Sequence, residues 1–119
     1  SELVIKMSRL PYADAVKEIP EMAQSVQDMV RHAAKSFVER DGDLAKAVCR
    51  ADDDVDDLFD VIKANLTKIV HKNVDEDDNG EQALDMLMVA KYLEKIGDHA
   101  SNIAEWVLFM ITGEHKKLN

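Results

Sequence analysis

Residues 43–71, DLAKAVCRADDDVDDLFDVIKANLTKIVH, decide the fold. Leu44, Val48, Ala51, Val55, Leu58, Phe59, Ile62, Leu66, Ile69 and Val70 recur at intervals of three and four, the rhythm of an amphipathic helix. Asp43 is placed to cap its start, and the run predicts a helix ending near His71. Upstream, Pro20 suits a first helical turn. Ile19, Met22, Ala23, Val26, Met29, Val30, Ala33, Ala34, Phe37 and Val38 keep the same rhythm as far as Asp41-Gly42. Downstream, KNVDEDDNG at 72–80 is rich in turn formers and too poor in apolar residues to bury a face, so it reads as a loop. A third helix is predicted from about Gln82 to Thr112, with Leu84, Leu87, Met88, Leu93, Ile96, Ala100, Ile103, Val107 and Ile111 inward and Gly113 ending it.

Three long helices with short connections make an all-α, antiparallel three-helix bundle over residues 19–113. Composition agrees: with Gly 4, Pro 2 and aromatic residues at 5%, and Met, Ala, Leu, Lys, Glu and Asp plentiful, helices are favoured over a sheet that needs β-branched and aromatic pairs, and 119 residues supply one small core. The opening SELVIKMSRL has helical spacing at Leu3, Val4, Met7 and Leu10 but no cap, and Pro11 interrupts it. Residues 1–18 therefore read as the tail of a preceding helix plus a linker, and residues 114–119 as a C-terminal tail.

A formal net charge of -9 opposes nucleic acid and anionic membrane surfaces, both polyanions, and favours cations and basic protein surfaces. The lone Cys49 cannot make an internal disulfide and no secretory leader pattern opens the chain, which predicts a reducing cytoplasm. The longest apolar run, Trp106 to Ile111, is far short of the roughly 20 residues of a spanning helix. That run is nonetheless apolar around the whole helix, more than a three-helix core requires. Part of it is expected to meet another bundle or protein, and a homo-oligomer is a separate expectation for the chain.

Two acidic pairs point to chemistry. Asp52/Asp56 and Glu94/Asp98 are each four residues apart on a predicted helix, so both carboxylates of a pair leave the same face one turn apart. Brought together, the two pairs would form an oxygen-ligand site for a hard cation such as iron(III), magnesium, calcium or manganese, with zinc also admitted. On a wheel of about 100° per residue, Glu94 and Asp98 are expected to face out of the bundle and Asp52 and Asp56 to lie on a flank. The site would then be superficial, in a groove between two helices. Acids are also the ordinary surface of a helix. Yet Asp52, Asp53, Asp54, Asp56 and Asp57 crowd into six residues, and like charges at i,i+4 destabilise a helix by roughly 0.2–0.5 kcal/mol per pair unless something neutralises them.

The segment 86–114, MLMVAKYLEKIGDHASNIAEWVLFMITGE, resembles the C-terminal signature of the PhoU family of phosphate uptake and signalling regulators. RADDDVDDLF at 50–59 is similar to the family's second-helix motif. The resemblance implies the C-terminal PhoU-like three-helix repeat, in a family built from two such repeats. It also implies metal ions, iron or zinc, at Asp52, Asp56, Glu94 and Asp98. It implies a cytoplasmic adaptor in phosphate-starvation signalling that contacts the phosphate transporter ATPase and a sensor histidine kinase.

Other residues take plainer roles. His99 points about 100° from Asp98 and is expected at the surface; His32 with Asp28 suggests an exposed ion pair; Cys49 and the methionines follow the apolar rhythm as core filling. Gly97 in mid-helix costs about 0.8–1.0 kcal/mol relative to Ala, so a packing reason is expected, either close helix approach or access to the acids. No nucleophile and base are spaced for a reaction and no Gly-rich phosphate loop is present, which predicts a binding protein rather than an enzyme. A ferritin-like metal enzyme or store would require Glu-x-x-His pairs, which the chain lacks. A metal-free helical module docking a basic surface is the other alternative.

Overall fold

The computed structural model describes residues 17–72 and 79–118. They form α1 (Ile19–Glu39), α2 (Gly42–Lys72) and α3 (Asn79–Leu118), with each helix contacting the other two. The all-α three-helix bundle is as predicted. The expected helix remnant at residues 1–9 and most of its linker, and the loop at 73–78, lie outside the described residues.

Local chemistry sets the boundaries. Pro20 sits in the first turn of α1, where its missing N–H has no helical partner to lose. Arg40 ends the helix in the left-handed conformation, φ 54° and ψ 44°, while the N–H groups of Arg40 and Asp41 both donate to Ser36 O. The cap of α2 is Asp41, not Asp43. Its Oδ1 accepts the Leu44 N–H at 3.1 Å and its carbonyl accepts the Ala45 N–H at 3.1 Å, so the helix begins at Gly42 and Asp43 joins the acidic first turn. Nor does Gly113 end α3, which runs on to Leu118. A helical glycine costs about 1 kcal/mol, too little to stop a helix when Glu, Lys and Leu follow.

The core is a seam of Met22, Val26, Met29 and Ala33 from α1, Ala45, Val48, Val55, Ile62 and Leu66 from α2, and Ala83, Ala90, Ala100, Ala104 and Val107 from α3. Ser36 is buried among them, its hydroxyl donating to Ala33 O at 2.8 Å. On α3 the expected inward face is rotated. Leu87, Leu93, Ala100, Val107 and Ile111 do pack inward, whereas Leu84, Met88, Ile96 and Ile103 are exposed. The innermost line is instead Ala83, Ala90, Gly97 and Ala104, spaced by seven. These small residues let α3 approach its neighbours closely; at Gly97 a Cβ would already stand 3.6 Å from both Val26 Cγ2 and Val55 Cγ1.

The large apolar residues of α3 thus form a second stripe away from the core: Leu84, Met88, Tyr92, Ile96, Ile103 and Trp106. Trp106 meets Phe109 edge-on, centroids 5.6 Å apart at 86°. Among the described residues no helix is long and apolar enough to cross a membrane.

Candidate metal centre

Two heptad lines of α2 carry its core contacts: Val48, Val55, Ile62 and Ile69 form one, and Ala45, Asp52, Phe59 and Leu66 the other. Asp52 therefore occupies a seam position between apolar residues. On α3, Leu87, Glu94, Ser101 and Leu108 make a similar line, so Glu94 too is turned toward the bundle, with its side chain only 12% exposed. The expectation that the third-helix acids face outward is corrected for Glu94. A wheel oriented by the bulky residues points the wrong way when the innermost line is Ala and Gly.

Because α2 and α3 run antiparallel, the acids pair crosswise. Asp52 meets Asp98, and Asp56 meets Glu94, each pair close enough for a carboxyl–carboxyl hydrogen bond in which one partner keeps its proton. Burial, then the hydrogen bond and negative charge of Asp98, then Asp56 and Asp53, raise Asp52 from 3.8 to about 7. Burial, the hydrogen bond to Glu94 and the charges of Asp98, Glu94 and Asp53 raise Asp56 from 3.8 to about 6.

Asp52, Asp56 and Asp98 each offer one carboxylate oxygen, all within 4.8 Å of one another. A cation holding oxygens at about 2.0–2.6 Å keeps them about 3–4 Å apart, so the three need contract only slightly. Asp52 Oδ1 is buried and has no hydrogen-bond partner, a state that a bound cation would relieve. The donors are all carboxylate oxygens, which suits a hard cation. Acid residues, groove and orphaned oxygen fit such an ion.

Glu94, the fourth expected ligand, touches Asp56 but is not among the three residues whose oxygens all lie within 4.8 Å of one another. Its Oε1 accepts Lys91 Nζ at 2.6 Å, and the same ammonium lies 5.1 Å from the centroid of the Phe59 ring across the groove. The hydrogen bond and charge of Glu94 raise the Lys91 pKa. Lys91 and Phe59 were not singled out as site residues by their sequence pattern, although the i,i+3 spacing of Lys91 to Glu94 was visible. His99 is not in the group. Asp28 binds Arg31 at 2.8 Å and Gln24 at 3.3 Å, the partners it takes in place of the expected His32.

Fold and site define a helical-bundle protein carrying a carboxylate cluster in the groove between two antiparallel helices. Residues 19–107 match the PhoU domain, and the chain belongs to the PhoU family. It is 39% identical over 106 residues to the phosphate-specific transport system accessory protein PhoU homolog of Clostridium acetobutylicum, covering 89% of this chain and 47% of that protein. It is 34% identical over 105 residues to homolog 1 of Thermotoga maritima (87% and 44%) and 37% identical over 100 residues to the homolog of Zymomonas mobilis (83% and 40%). The chain spans about half the length, or less, of these curated relatives. No solved structure matches it.

Proposed function

We propose that this chain is the metal-carrying bundle of a phosphate-transport accessory protein, a regulatory adaptor without catalytic activity of its own. A cation, iron or zinc by family resemblance, is held by Asp52, Asp56 and Asp98 with Glu94 beside them. It neutralises a cluster whose burial and mutual repulsion raise the pKa values of Asp52 and Asp56. The observation that carries this reading is the buried, unpartnered Oδ1 of Asp52, a member of a three-carboxylate group. The names of the relatives support the phosphate-transport setting.

The exposed stripe of α3 suits protein contact, and we assign it to assembly with the transporter ATPase and a sensor histidine kinase in the cytoplasm. An acidic, metal-neutralised groove would not recruit free phosphate except through the ion or a partner.

Elemental analysis of protein purified without chelator tests the site. Metal is expected in the wild type and absent from a Glu94→Ala/Asp98→Ala double variant of unchanged helicity. Equal metal content in the two proteins overturns the assignment.

A further inference from the structure

We propose that Lys91 is a tethered counter-ion for the cluster, which competes with a bound cation for the carboxylate of Glu94. The inference rests on the metal-site reading above and adds a competitor to it. Glu94 is nearly covered, and its carboxylate is engaged by Lys91 Nζ at 2.6 Å. The ammonium is also held from the opposite helix, 5.1 Å from the centroid of Phe59, the residue one heptad beyond Asp52. It thus bridges the groove at the end of the cluster marked by Asp56 and Glu94.

The Lys91 side chain is 51% exposed, so its release into water needs no opening of the bundle. Its flexible stem lets the head leave while the methylenes stay on the protein. One positive charge beside four carboxylates lessens their mutual repulsion without removing it. A multivalent cation contacting several of them at once has the advantage over a single ammonium. Lys91 therefore offsets part of the charge of the acids and competes for Glu94 with an incoming cation.

The test is a double-mutant cycle read by manganese(II) binding, with electron paramagnetic resonance of the free ion as the signal. Lys91→Met keeps an apolar chain about as long as the lysine stem but removes the charge. It is expected to tighten manganese binding about fivefold or more in the wild-type background. In a Glu94→Gln background the same change is expected to alter affinity less than about twofold, because the pair is already broken. Lys91→Gln is a second charge-removing variant, and Lys95→Met reports the general effect of losing a nearby cation. Equal affinities for wild type and Lys91→Met, an equal gain in the Glu94→Gln background, or an equal gain from Lys95→Met each overturn the proposal. A wild-type chain that takes up no manganese instead overturns the metal site itself, a separate result from the same titration.

Discussion

Gly97 of α3 faces Asp52 of α2 so closely that a Cβ on the glycine would stand 3.5 Å from Asp52 Oδ1. The glycine thus sits both at a close helix approach and against the orphaned oxygen of the site. Added methyl contacts of 3.5–3.6 Å are ordinary, so Gly97→Ala should fold. Its stability should lie within about 1 kcal/mol of wild type, the helix-propensity gain being offset by the methyl lying on an unsatisfied carboxyl oxygen. Gly97→Val would press into Val26 and Val55 and is expected to cost about 1–3 kcal/mol. Urea unfolding of both variants checks this; equal losses from Ala and Val would mean the helices tolerate no Cβ at all.

The direction of α3 makes a sharper prediction. Ile103 is 46% exposed while its neighbour Ala104 is fully buried. Ile103→Ala should therefore change stability by less than about 0.5 kcal/mol, whereas Ala104→Leu should cost about 1–3 kcal/mol by overpacking. Thermal or urea unfolding decides it, and the reverse order would restore the face that the bulky residues suggested.

How far the sequence carries is clear from these same residues. The three helices are legible because Val48, Val55, Ile62 and Leu66 repeat at helical spacing and nothing on α2 competes with them. The face of α3 is not, because that helix is apolar on two sides and the bulkier Ile96 and Ile103 outweigh Ala90 and Gly97 in its apolar pattern. Heptad lines would have helped: Asp52 falls in step with Ala45, Phe59 and Leu66, and Glu94 with Leu87 and Leu108. The convergence of Asp52, Asp56 and Asp98 depends on the antiparallel register of α2 and α3, which spacing within either helix does not contain.

At the start of α2, Asp41 rather than Asp43 makes the capping contact. Asp41→Ala is expected to cost about 0.5–2 kcal/mol by leaving the Leu44 N–H without its acceptor. Asp43→Ala loses only a favourable charge near the helix N-terminus, about 0.3–1 kcal/mol. Unfolding curves of the two single variants, at matched salt, give the order directly.

The acid cluster also ties stability to pH. Asp52 binds its proton more tightly in the folded chain, at about 7, than at its ordinary 3.8, and Asp56 does so at about 6. Between the two sets of values the folded state holds more protons than the unfolded one, so these groups lower stability as pH rises. Their contribution is whole below about pH 4 and is lost as pH climbs through about 6 and 7. In chelated protein, Asp52→Asn should therefore gain on the wild type as pH rises from about 4 to about 8. Saturating manganese should reverse the order at the upper end, since the ion takes the place of the protons and stabilises only the chain that binds it. Urea denaturation with and without chelator across this range measures both effects. A wild-type-minus-variant difference that stays flat with pH in chelator would mean that Asp52 is an ordinary surface carboxylate.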